Sequence, residues 1–229
     1  MPISINRVGF RRSLVRFSSS LVGIITVVGI MSLFSIWSMN RAYINTENVI
    51  EKSRNMANEG LLAEIDFKVQ VQEWKNILLR GSDQSSKTKY IEAFEAKEVE
   101  VERHLQNLIT IANELNLNEY RVEADNLIAQ HKKLATTYRQ ALTAAPDLET
   151  ESVKAVDKIV FGIDRELESN INRLSFEILT FNKTQRQTLL SKLSDRYITL
   201  RSTMLIIIAF SLIITATSLY AALRATREL

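Results

Sequence analysis

The chain has 229 residues, 46% of them hydrophobic, with only six glycines and two prolines, so few positions are set aside for turns and long helices are expected. It contains no cysteine, which excludes disulfides, thiolate chemistry and cysteine metal sites and leaves the redox compartment open. A formal charge of +3 is too small to argue for nucleic acid, so the placement of charge is more informative than its sum.

Residues 1–16 form a short basic tail carrying Arg7, Arg11, Arg12 and Arg16. Residues 17–39 (FSSSLVGIITVVGIMSLFSIWSM) then run 23 positions without a charge, and residues 202–223 (STMLIIIAFSLIITATSLYAAL) run 22. At about 1.5 Å per residue, either run crosses a hydrocarbon core of ~30 Å. Both are therefore expected to be transmembrane helices. Arg224 and Arg227 in the tail 224–229 mirror the N-terminal arginines, so the positive-inside rule puts both termini in the cytoplasm; Arg41 and Arg201 weaken the contrast without reversing it. A cleaved signal peptide is the rival for the first run. Against it, the run exceeds the roughly 7–15 apolar residues of a signal core, and no A-x-A-like site follows. The expected protein is an anchored hairpin with residues 40–201 outside the cytoplasmic membrane; in a bacterium with two membranes, that side is the periplasm.

Between the anchors the punctuation defines four helical segments. Gly81 to Ser85 ends the first at about residue 80, Asn116-Leu117-Asn118 is a tight reversal, and the stretch around Pro146 ends the third. The second segment, about 86–115, carries a stripe of Ile91, Phe94, Glu98, Val101, Leu105, Leu108, Ala112 and Leu115, with one polar intruder. The third, about 119–143, repeats the spacing with Tyr120, Ala124, Leu127, His131, Leu134, Tyr138 and Ala141. In the last, Val153, Val156, Val160, Ile163 and Leu167 lead into Ile171, Leu174, Ile178 and Phe181. Residues 147–161 are surplus to the length of the bundle and are expected to cross its outer end, with Gly162 at the bend. The predicted fold class is all-α, an antiparallel up-down four-helix bundle with two transmembrane helices.

The first segment carries two stripes. Phe67, Val71, Trp74 and Leu78 lie on one side at 100° per residue, while Leu61, Leu62, Ile65, Val69 and Leu79 lie roughly opposite. One stripe suffices for a monomer; the second is expected to meet a twin copy across a two-fold axis, or else a different membrane partner. Leu61, Ile65, Val69, Gln72 and Asn76 are the predicted homodimer interface, the last two being polar groups that can set register.

The blocks QVQEWKNILLRG, QHKKLATTYRQAL (Gln130 to Leu142) and AVDKIVFGIDRE (Ala155 to Glu166) together resemble the external sensory domain of a group of bacterial methyl-accepting chemotaxis proteins and related membrane-bound diguanylate cyclases. The resemblance implies a dimeric, ligand-sensing transmembrane receptor in which the second span leads to a HAMP linker and an output domain. After Leu223 only Arg224 to Leu229 remain, so the readout is expected to come from a partner such as a full-length receptor with a similar bundle.

Helix lengths place the three blocks at similar height. Trp74 to Arg80 stand about 50–60 Å from the membrane, Asp164 and Arg165 about 55 Å, and Tyr138 and Arg139 about 45 Å. The predicted ligand site therefore joins Lys75, Arg80, Arg139 and Arg165 as cations with Asp164 and the aromatic walls Trp74 and Tyr138, a set suited to a small anionic metabolite. Each residue also has a plainer role. Trp74 fits core packing, Arg80 the capping of helix carbonyls, and Arg165 a surface pair with Asp164 or Glu166. His131 reads as a packed, hydrogen-bonded core histidine, neither it nor His104 has metal-ligand spacing, and Glu95, Glu98, Glu100 and Glu102 read as a solvated face. No phosphate loop, HExxH or nucleophile elbow is present, so neither enzyme activity, metal nor cofactor is expected. A ligand sensor is the first reading; a bracing membrane subunit that binds no metabolite, or the front end of a longer receptor, are the alternatives.

Overall fold

In a computed structural model, which describes residues 7–144, 148 and 150–227, the chain is all-helical. The turn expected around Pro146 lies outside the described residues, as do residues 1–6, 228 and 229. The helices are α1 (Arg7–Arg80), α2 (Gln84–Glu114), α3 (Asn118–Ala144), α4 (Thr150–Val160) and α5 (Arg165–Arg227). They fall into two compact units, one of residues 48–188 and the other of residues 1–47 with 189–229.

The helix ends follow from local chemistry. Asp83 caps α2 by accepting a 2.9 Å hydrogen bond from the Ser86 amide, and that bond holds its carboxyl below the usual range. At the other end Asn116 takes the left-handed conformation (φ 58°), with Leu117 N–H bonded to Ala112 O at 2.8 Å and Asn116 N–H to Asn113 O at 3.1 Å. These two bonds make a Schellman motif in which asparagine replaces the commoner glycine. Gly162, at φ +72°, turns the chain between α4 and α5.

Gly81 is constrained by space instead. A Cβ there would press on the Ile77 carbonyl oxygen and stand 3.0 Å from Leu148 Cδ1. Gly81→Ala is therefore expected to destabilise the unit by about 1–3 kcal/mol, measured by thermal unfolding followed by circular dichroism.

The larger unit has one continuous core. The first stripe of α1 is buried at Phe67, Val71, Trp74 and Leu78, and every member of the α3 stripe except half-buried Tyr120 is buried. Val156 and Val160 of α4 join the core, followed by Leu167, Ile171, Leu174 and Ile178 of α5, whereas Ile163 stays at the exposed margin. Pairs across elements order the contacts. Lys52 meets Glu114, Glu59 meets His104 and Asp66 meets Lys97, so rising numbers on α1 face falling numbers on α2. Glu102 faces Lys132 and Glu98 faces Arg139 between α2 and α3, while Arg173 of α5 pairs with Glu123 of α3. Gly60 lets α1 approach α5 closely, its Cβ position lying 3.6 Å from Ser175 Cα.

The smaller unit is built from the apolar ends of α1 and α5, which are long and apolar enough to cross a membrane and expose Ile30, Leu33, Leu205 and Ile213. Arg196 Nη2 donates to Ser38 Oγ at 2.7 Å, tying the two helices together. Arg41 lies over the Trp37 ring and Arg201 over the Tyr197 ring, the amphipathic pairs expected at a membrane boundary.

Candidate functional site

At the end of the larger unit that holds Gly81, the core closes with an aromatic layer. Trp74 stacks on Tyr138 with ring centroids 4.2 Å apart and planes 20° from parallel, and Phe94 meets Tyr138 edge-on at 5.8 Å. The helical positions 74 and 138 face inward because they continue the apolar spacing of α1 and α3, and all three rings are buried. Burial, with the nearby Asp164 carboxylate as a lesser cause, pushes the Tyr138 hydroxyl well above its usual pKa. Trp74 and Tyr138 thus present their faces to each other.

Three of the expected charged residues, Arg139, Arg80 and Arg165, have partners of their own. Arg139 Nη2 bonds Glu98 Oε2, which explains how an acidic residue sits in the α2 stripe. Arg80 Nη1 lies 3.4 Å from the Tyr90 hydroxyl, and the Arg165 guanidinium rests 5.1 Å from the Phe161 ring centroid. Lys75 is exposed and Asp164 half-buried. An open groove between α3 and the start of α5 is lined by Gln130, Lys133, Leu134, Thr137, Ile163 and Glu166.

The second α1 stripe remains uncovered. Leu61 is 39% exposed, Ile65 46% and Leu79 76%, with Leu62 and Gln72 also exposed and Val69 and Asn76 half-buried. Phe176 and Leu179 of α5 add further exposed apolar surface.

Two groups of polar residues inside the unit are centred on histidines. His131 is fully buried; its Nε2–H donates to Gln70 Oε1 at 2.7 Å and its ring stands edge-on to Phe67. Its Nδ1 has no hydrogen-bond partner and lies 3.6 Å from Glu102 Oε1. Burial, reinforced by the positive charges of Arg139 and Lys132, lowers its pKa to about 4. The second group surrounds His104. Glu59 and Asp66 reach it from α1, while Lys97, Glu100 and Arg103 surround it from α2.

This second group is absent from the sequence reading. Lys97, Glu100 and His104 do share helical spacing, but their pairing with Glu59 and Asp66 depends on the register of α1 against α2. The acidic run is also more engaged than a solvated face: Glu98, Glu100 and Glu102 each have a cationic neighbour.

The fold defines a class, an all-helical unit whose first and last helices each continue into an apolar segment long enough to cross a membrane. The methyl-accepting chemotaxis protein CtpH of Pseudomonas aeruginosa is 35% identical to the chain over 116 residues, which cover 51% of this chain and 20% of that protein. The chain thus spans about a fifth of the length of that relative. No family model matches the chain, and no solved structure matches it.

Proposed function

We propose that the chain is a chemoreceptor-like sensor of the bacterial inner membrane, with the larger unit in the periplasm as an antiparallel four-helix bundle and both termini in the cytoplasm. The similarity to a chemotaxis receptor carries this reading. Its physical support is the continuity of α1 and α5, each of which contributes to the core of the larger unit and runs on into an apolar segment. The order of pairs from α1 to α2, α3 and α5 supports the bundle.

A ligand transmits a signal only when it binds one packing arrangement better than another. The ligand site proposed here comprises Lys75, Arg80, Arg139, Asp164 and Arg165 around the edge of the Trp74–Tyr138 layer. A small anion there competes with Glu98 for Arg139 and thereby alters the contact between α2 and α3. The exposed stripe of Leu61, Ile65, Val69, Gln72 and Asn76 is the proposed homodimer seam, and output passes to a partner receptor or other signalling protein in the membrane.

Calorimetry on the detergent-solubilised full chain, with pools of organic acids, amino acids and purines, tests the sensor. Saturable binding that weakens at least tenfold in Arg80→Ala and Arg139→Ala is expected. The engagement of Arg139 by Glu98 and of Trp74 by Tyr138 favours the second reading, a bracing subunit in which these residues only hold the fold. That reading gains if no pool binds.

A further inference from the structure

Three carboxylates and a buried imidazole meet between α1 and α2. His104 is 4% exposed, and its Nδ1 lies 2.6 Å from Glu59 Oε2, so Nδ1 carries the proton and donates. On the other side of the ring, Arg103 Nη2 stands 3.0 Å from Nε2, which makes Nε2 the acceptor. The Nε2 lone pair faces Asp66 Oδ2 at 3.4 Å and Glu100 Oε2 at 3.8 Å. Such a convergence of electron-pair donors repels itself unless a cation lies among them. Arg103 supplies positive charge, contacting Glu100 and His104 together, while Lys97 Nζ holds the other Asp66 oxygen at 2.6 Å.

Glu100 and His104 stand one turn apart on α2, Asp66 faces them from α1, and their three ligand atoms lie within 4.8 Å of one another. We propose that Asp66, Glu100 and His104 bind a divalent transition-metal ion of the zinc type, which takes the position of the Arg103 guanidinium. One imidazole nitrogen and two carboxylate oxygens suit such an ion, whereas calcium and magnesium favour oxygen donors alone. Glu59 plays the part of the outer carboxylate that fixes the ring and raises its basicity as a ligand. The side chains of Arg103 and Lys97 are 48% and 35% exposed, so both have a path to solvent when the ion enters. Metal then cross-links α1 to α2 with a bond in place of ion pairs. This inference stands apart from the sensor reading and needs no ligand at the aromatic layer.

The test is isothermal titration of the tag-free full chain, stripped with chelator, with zinc chloride in a non-coordinating buffer. One zinc per chain is expected, at least tenfold weaker in His104→Gln and in Glu100→Gln, and several-fold tighter in Arg103→Gln because the competing cation is gone. Glu100 is half-exposed, so its variant keeps the core intact and reports on ligation even if the His104 variant misfolds. The proposal is overturned if zinc does not saturate a site, if Glu100→Gln binds as tightly as the parent, or if Arg103→Gln weakens binding. Those results assign the cluster to ion pairing between the helices alone.

Discussion

Replacing Trp74 with alanine is expected to destabilise the larger unit by about 3–5 kcal/mol, the cost of emptying a large, fully enclosed aromatic site. The indole is 3% exposed, lies flat on Tyr138 and touches Phe94 at the point where α1, α2 and α3 close the core. Its removal takes away buried area and stacking together. For a unit of this size the loss lowers the melting temperature by on the order of 10 °C. Trp74→Phe retains a ring and should lose far less. Melting curves of the full chain, followed by circular dichroism, distinguish this structural role from a ligand wall, for which Trp74→Ala leaves the unliganded protein as stable as before.

The second large effect depends on pH. His131 has a folded pKa of about 4 against 6.5 in an exposed chain, because burial, and then the charges of Arg139 and Lys132, disfavour the imidazolium. A base whose folded pKa is depressed is protonated first in the unfolded state as pH falls. Its contribution to stability is therefore complete above pH 6.5 and is lost progressively between pH 6.5 and about 4, amounting to about 3 kcal/mol at ~1.36 kcal/mol per pH unit. Urea titrations at pH 7.5, 5.5 and 4.5 should show this fall. His131→Leu should flatten it while lowering stability at pH 7.5, since Gln70 then loses its buried partner.

Much of this fold is legible in the spacing of apolar residues. The first stripe on α1 and the stripe on α3 face inward because a 3.6-residue period gathers their apolar residues on one side, and Asn116 and Gly162 stop helices by the backbone conformations they adopt. His131 is equally legible as a core residue, since it occupies a stripe position. The register between helices is less so. Glu98 looks solvated until Arg139 is placed opposite it, and His104 looks isolated until Glu59 and Asp66 arrive from 45 and 38 residues away. The aromatic layer shows the same limit in another way. Trp74 and Tyr138 occupy matching heights, as helix lengths require, but only side-chain packing shows that they meet face to face.

The sensor account is tested most directly by disulfide trapping of Ile65→Cys in membranes. The chain has no native cysteine, and Ile65 lies at the centre of the uncovered α1 stripe, so every crosslink reports on that seam. The account predicts crosslinked dimers whose rate of formation changes when a metabolite pool that binds in calorimetry is added. A chain that stays monomeric under oxidation, or dimers that form at a rate indifferent to every such pool, would contradict it.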